Sequence, residues 1–304
     1  MRLGGAIPAN VLPMRPDLSV DVPAYRKHLG HLADTPGVGG VVCNGHAAEV
    51  TSLDRAERTQ AVAVAVETVG RRVPVIAGVH ADNYRDAISS ARDAKNEGAD
   101  GLLVFPAPVL ALGGDQEMGY RHVAEVADAV DLPIVVFAYP TFTGLAYQPE
   151  TLARLCALEP VVAVKEWSLD LRVHERTLEI VRGCGHPVAL LTSFSTNLLP
   201  ALVAGADGIL SGHGSVIADL QARLLAMVTE RDLAGAQALY RRIQLLTRVI
   251  YRDPMANMYA RMKEHLIMLG HQMSPAVRPP MRPVGDSERG ELRAALVAAG
   301  LLEN

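Results

Sequence analysis

The stretch VVAVKEW, Val161 to Trp167, ends an unbroken apolar run with a lysine. Small hydrophobic residues without polar alternation describe a strand buried on both faces, as parallel strands under helices are. Seven further runs of the same kind occur, at 4–11, 38–45, 73–80, 99–106, 132–140, 187–193 and 205–212. Between them lie helix-like segments such as 52–70 and 82–98, with Ser52 and Asp82 or Asn83 as caps and Gly70 and Gly98 as stops. Eight strands alternating with helices predict a (β/α)8 TIM barrel over residues 1–217. An open doubly wound sheet would carry a G-x-G-x-x-G turn opening its first helix, and neither GVGGVV nor GHGSVI has that spacing. After Ile217 the strands stop. Helical stretches at 218–250, 254–270 and 286–300 make residues 218–304 a C-terminal helical extension packed on the barrel.

The 304-residue chain is 49% hydrophobic and 20% charged, enough apolar material for a large core. A net charge of −4 and a pI near 6.2 leave no basic excess to hold nucleic acid or an anionic membrane. Small-molecule chemistry is the default expectation. Cys43, Cys156 and Cys184 have neither the spacing of a zinc site nor an even count for a disulfide framework, which points to a reducing, cytoplasmic setting. No run of 18 apolar residues is present, and prolines at 8, 13 and 16 interrupt the N-terminus before a signal-like core forms. His28 and His31 share a helix face without a third metal ligand, and read as surface histidines. No G-x-S-x-G, H-E-x-x-H or Walker sequence occurs. No cofactor or metal is expected.

Barrel active sites lie at the C-terminal ends of the strands, where Lys165 falls. By strand alternation Val161, Ala163 and Lys165 share a face, and the small Ala163 leaves room beside the amine. A lysine out of water must find a carboxylate, shed its proton or reach solvent. From the strand alone two roles stand side by side: a nucleophilic amine with a lowered pKa, and a structural lysine paired with Glu49 or Glu166.

The surrounding motifs bear on that choice. GGAIPA (4–9), NGHAAEVTSLDRAER (44–58), VPVIAGV (73–79), YPTFTG (139–144), VVAVKEW, GADGILSGHGSV (205–216) and RPPMRPV with LRAALVAAGLL near the end run along nearly the whole chain. In order and spacing they resemble the dihydrodipicolinate synthase and N-acetylneuraminate lyase family. That resemblance implies a Schiff base between Lys165 and a 2-oxo acid, usually pyruvate, and a tetramer or dimer. The same segments have physical readings of their own. The turn Gly45-His46-Ala47-Ala48 precedes a helix, so its amides can cradle a carboxylate or form an ordinary tight turn. Gly212 and His213, after strand eight, let a ligand approach the backbone closely, as in the phosphate loops of other barrels. Glu49 either orients the strand-two loop or begins a helix.

Four departures fall at the chemistry. Phe137 stands where the family's synthases have a proton-relaying tyrosine, and His46 and Ala47 stand where they have paired hydroxyl residues. Ala107 and Pro108 replace two tyrosines after strand four, and Phe142 replaces an arginine that grips the second substrate. These changes argue against a true dihydrodipicolinate synthase. Tyr139, two residues beyond Phe137 on the same strand face, is the first candidate for moving protons, followed by His46 and His213. Phe105, Phe137, Phe142, Phe194 and Trp167 fall near the ends of strands four to seven. They predict an aromatic mouth, either for an apolar aldehyde or beneath a lid or subunit contact. Hydroxyls at Thr143, Ser168, Thr192, Ser193 and Ser211 keep a sugar acid open.

The expected activity is a class I lyase. Lys165, Tyr139 and His46 form the catalytic set, and Gly45, Ala47, Ala48, Phe137, Phe142, Trp167, Ser211, Gly212 and His213 bind a 2-oxo acid and an aldehyde. Dehydration or cleavage of a 2-keto-3-deoxy sugar acid is the alternative chemistry. A non-catalytic barrel that binds 2-oxo acids is the alternative of a different class.

Overall fold

The computed structural model describes residues 1, 3–193 and 195–303; Arg2, Phe194 and Asn304 lie outside the description. Eight parallel strands form one sheet: β1 (Gly5–Pro8), β2 (Val41–Cys43), β3 (Val75–Val79), β4 (Gly101–Val104), β5 (Ile134–Ala138), β6 (Val161–Glu166), β7 (Ala189–Thr192) and β8 (Gly208–Ser211). Neighbours follow chain order from β2 to β8, and β8 pairs with β1. Ala6 and Ala9 of the first strand region also bridge Val38 and Val42, which brings the sheet round on itself as a barrel.

The runs are apolar on both faces because both are covered. Ile7, Val42, Ile76, Leu103, Val135, Ala163, Leu191 and Leu210 fill the interior. Val41, Ala77, Leu102, Ile134, Val164 and Leu190 belong to the core under the outer helices. β6 departs from simple alternation. Ile134 pairs with Val161, but Val135 pairs with Ala163, so Val162 is an extra residue in the ladder. Val161 therefore joins the outer core instead of sharing the interior face of Ala163, contrary to the alternation expected from sequence.

Eight helices follow the strands: α1 (Val22–Asp34), α2 (Arg55–Val69), α3 (Tyr84–Asn96), α4 (Gln116–Ala129), α5 (Pro149–Cys156), α6 (Leu171–Arg182), α7 (Leu198–Ala204) and α8 (Gly214–Thr229). Asp54, not Ser52, caps α2. Its carboxylate accepts from Glu57 N–H (2.8 Å) while Glu57 accepts from Asp54 N–H (3.1 Å), and Ser52 donates instead to Glu49 O (2.8 Å). Asn83 caps α3, accepting from Asp86 N–H at 3.0 Å. Gly70 ends α2 at φ 61, a conformation that disfavours side chains.

Residue 217, the expected edge of the barrel, falls inside α8, where Ile217 leaves helical geometry (φ −127, ψ 40) and the helix continues. The stretch 218–250 is two helices, not one. Arg231 turns left-handed (φ 63), and Asp232 caps α9 (Leu233–Ile250) by accepting from Gly235 N–H at 2.9 Å. After α9 come α10 (Met258–Met268) and α11 (Asp286–Ala298). Of the two histidines read as surface residues, His31 is exposed but His28 is 1% exposed, on the inner face of α1. Its Nε2 lies 2.8 Å from Ser215 Oγ, which accepts from Val11 N–H at 2.9 Å.

The α2 capping box gives a stability test remote from the barrel mouth. Asp54→Ala removes the acceptor for Glu57 N–H and is expected to lower the unfolding free energy by about 1 kcal/mol, read from urea unfolding.

Candidate active site

Lys165 ends the inward face of β6, opposite Phe137 on β5 and Leu191 on β7. Its residue is 4% exposed, and its Nζ sits 3.7 Å from the centroid of the Phe137 ring. Among the described residues no carboxylate reaches within ion-pair distance of it. Both carboxylates that the sequence offered as partners are committed elsewhere. Glu166 turns to the other face of β6, where it accepts from Ser168 N–H (2.6 Å) and pairs with buried His174 Nδ1 (2.8 Å). Glu49 pairs with Lys263 Nζ of α10 at 2.6 Å and accepts from Arg278 N–H at 2.8 Å. With only a ring face against it, the ammonium form pays for burial, which lowers the Lys165 pKa from 10.5 to about 7. The cation–π contact favours the charged form but is the weaker influence.

The amine opens into a small cavity that is partly continuous with solvent. His46, Ala47, Phe137, Trp167 and Gly212 line it together with Lys165. His46 Nε2 and the Tyr139 hydroxyl are hydrogen-bonded to each other. Burial, with Lys165 and His80 adding to it, lowers the His46 pKa to about 3, and burial raises that of Tyr139. Both groups are therefore neutral at pH 7, with a proton to share. The His46 ring packs edge-on against Phe105 (5.0 Å) and Tyr139 (5.7 Å), and Tyr139 against Trp167 (5.4 Å). An apolar cage around two titratable groups makes this pair suited to transferring a proton without becoming charged at rest.

The strand-two loop has a specific geometry. His46–Ala48 form a 3-10 turn in which Ala48 N–H donates to Gly45 O (3.1 Å) and Glu49 N–H to His46 O (2.8 Å). Ala48 is thus buried behind the turn with its amide occupied, whereas Ala47 lines the cavity. Gly45 begins the turn at φ −83. Glu49 itself is left-handed (φ 56), held by Lys263 and by the chain at Arg278. It orients the loop and begins no α-helix, since α2 starts at Arg55.

Other sequence candidates sit apart from the cavity. Phe142 is 70% exposed on the β5–α5 loop, outside the ring cluster, because its 3-10 turn points it outward. Phe194 lies outside the described residues. Ser211 is fully buried, spending its hydroxyl on Ser195 Oγ (3.1 Å) and His213 N–H (3.1 Å). The His213 ring is buried behind Tyr251, 5.9 Å between centroids, and burial lowers its pKa to about 3. Of the loop after β8, Gly212 is the residue that faces the cavity. Sequence reasoning missed Ala9, Tyr251 and Met258 on the cavity wall. Tyr251 and Met258 belong to the C-terminal extension, and the break at Asp253-Pro254 told only where that chain turns, not what it faces.

A partly deprotonated lysine without a counter-ion, at the C-terminal end of a strand in a parallel barrel, defines a lysine-dependent barrel enzyme. The chain belongs to the dihydrodipicolinate synthetase family, whose model matches residues 2–299, and it is a class I lyase of that family. It is 32% identical to the 4-hydroxy-tetrahydrodipicolinate synthase of Syntrophobacter fumaroxidans over 98% of this chain and 99% of that protein. The corresponding enzyme of Nitratidesulfovibrio vulgaris is also 32% identical, over 99% of this chain and all of its own. Among solved structures, YagE from Escherichia coli K12, a prophage protein of the dihydrodipicolinic acid synthase family crystallised with pyruvate, superposes with a TM-score of 0.90. It is 25% identical over 98% of this chain and 99% of its own. The dihydrodipicolinate synthase of Acinetobacter baumannii, also with pyruvate, gives 0.88 at 26% identity, over 99% of this chain and all of its own. No helix among the described residues is long and apolar enough to cross a membrane.

Two outcomes follow from the electrostatics. Labelling of Lys165 by an amine-reactive reagent, read by mass spectrometry of the peptide, is expected to rise as pH climbs through about 7, in place of the 10.5 of an ordinary lysine. Lys263→Met strands the Glu49 carboxylate, whose pair is almost fully buried, and is expected to cost about 3–5 kcal/mol in urea unfolding. Adding Glu49→Gln to that variant recovers part of the loss.

Proposed function

We propose that the protein forms a Schiff base between Lys165 and pyruvate or another 2-oxo acid and uses it to make or break a carbon–carbon bond with an aldehyde. The single observation that carries this reading is the buried Lys165 amine, lowered to about 7 and without a carboxylate partner, opening into the cavity. Lys165 Nζ attacks the C2 carbonyl of the keto acid. The carbonyl oxygen takes up protons and leaves as water, giving an iminium. Loss of a C3 proton yields the enamine, whose C3 attacks the aldehyde carbon while the aldehyde oxygen is protonated. Hydrolysis of the new iminium releases product and regenerates the amine, and cleavage runs the same steps in reverse.

Tyr139 and His46 carry the protons in this reading, since His46 lines the cavity of the amine and is hydrogen-bonded to Tyr139, and Phe137 has no hydroxyl. The keto-acid carboxylate rests on the strand-two turn at Ala47, while Phe137, Trp167 and Gly212 enclose the reacting carbons. The aromatic cage supports an apolar or aromatic aldehyde. Together with the changes at Phe137, Ala107, Pro108 and Phe142, it argues for a reaction other than 4-hydroxy-tetrahydrodipicolinate synthesis. Ser193 and Tyr251 on the cavity wall favour a second partner class, a 2-keto-3-deoxy sugar acid dehydrated through the same enamine. We also place the enzyme in the cytoplasm as a dimer or tetramer; exposed Leu112 and Phe142, on the loops following β4 and β5, offer apolar surface for a subunit contact.

The test is intact-protein mass after borohydride reduction with and without pyruvate. A pyruvate-dependent adduct that disappears in Lys165→Ala is expected, and its absence from the wild type would leave a binding barrel without imine chemistry. Tyr139→Phe is expected to keep most of the trapped adduct but lose about 10²–10⁴-fold in turnover with an accepted aldehyde.

A further inference from the structure

Tyr251 closes the C-terminal end of α9 and brings a phenol to the wall of the Lys165 cavity, beside Gly212, Ser193 and Met258. Ala47 and Met258 belong to one apolar cluster, and Tyr251 packs against it. A Cβ on Gly212 would lie 3.4 Å from that of Ala47, so the strand-two turn and the Gly212 backbone meet at this end of the cavity. The turn itself brings no hydroxyl there, because Ala47 has none to give and Ala48 spends its amide on Gly45. The hydroxyls on the cavity wall are those of Ser193 and Tyr251, and Tyr251 brings its own from outside the eight strands.

The environment of that phenol is polarised in one sense. Ser195 Oγ donates to its oxygen at 3.3 Å and is itself linked to Ser211 Oγ at 3.1 Å. Ser195, Ser211 and the His213 backbone N–H each temper the rise that burial gives the Tyr251 pKa, while the His213 N–H itself donates to Ser211 Oγ at 3.1 Å. The ring is held edge-on by His213 behind it. Ser195 gives the phenol oxygen its hydrogen bond, and no group among the described residues takes one from it, which leaves the phenol's own proton to be donated forward. Burial raises the Tyr251 pKa, so the proton is retained across the neutral range and the group acts as a standing donor. A phenol that accepts from Ser195 and has its own proton left to give matches an anion in the cavity, which accepts and cannot donate.

We propose that Tyr251 is a specificity-determining residue that donates its phenolic hydrogen bond to the carboxylate of the 2-oxo acid, selecting acids over neutral ketones. The proposal rests on the reading of Lys165 as the imine-forming residue. Ser195 and Ser211 act through Tyr251 as positioning residues, which accounts for a buried chain of hydroxyls at the end of a barrel that is otherwise apolar.

The experiment titrates pyruvate and methyl pyruvate separately against wild type and Tyr251→Phe, with adducts trapped by borohydride and read by intact mass. Loss of a hydrogen bond to a charged group is expected to raise the half-saturating pyruvate concentration by about tenfold or more. The value for methyl pyruvate stays close to that of the wild type. The acid-to-ester ratio does not depend on how much of the variant is folded, so a partial folding defect leaves the comparison intact. An unchanged ratio overturns the proposal, whether both ligands weaken together, as a purely structural or proton-transfer role would give, or neither does. A wild type that traps neither ligand instead overturns the imine reading of Lys165, and the Tyr251 proposal with it.

Discussion

An amine can be kept uncharged inside a protein only if every carboxylate within reach is bound to something else. Around Lys165 that condition is met twice. Glu166, its neighbour in sequence, is turned to the opposite face of β6 and satisfied by His174 and the Ser168 amide. Glu49, on the loop that forms part of the same mouth, is satisfied by Lys263 and the Arg278 amide. Neither carboxylate is left as an ion-pair partner for Lys165, and burial is what lowers the pKa of its amine.

The second feature of the site is a cluster of rings beside the amine. Phe137 lays its face against the Lys165 amine, and Phe105, Trp167, His46 and Tyr139 stack edge-to-face around it. These rings surround the hydrogen-bonded His46–Tyr139 pair with apolar faces and edges. They also narrow the space for a second substrate.

The third is the role of the C-terminal helices. They are more than a buttress, because Tyr251 and Met258 form part of the cavity wall and Lys263 of α10 holds the strand-two turn through Glu49. The strand-two loop is thus held by a segment that follows the barrel in sequence.

The sequence by itself determined the barrel, since eight runs apolar on both faces, separated by helical segments, can bury both faces only in a helix-covered parallel sheet. It also determined Lys165 as the reactive candidate and Tyr139 and His46 beside it, because a strand's period carries residues 137, 139 and 165 to the same end of the barrel. It could not reveal the bulge at Val162, which moved Val161 outward, since one extra residue in a ladder leaves no trace in an unbroken apolar run. Nor could it separate Gly212, on the cavity wall, from Ser211 and His213 behind it, because a three-residue loop has no periodicity to aim its side chains. Phe142 read as an aromatic of the mouth and stands exposed for the same reason. Only the tertiary structure decided that Glu49 belongs to Lys263 and that Tyr251 shares the cavity of Lys165. Those contacts join residues more than 80 positions apart, and such pairings are set by how helices pack on the closed barrel, not by any local pattern.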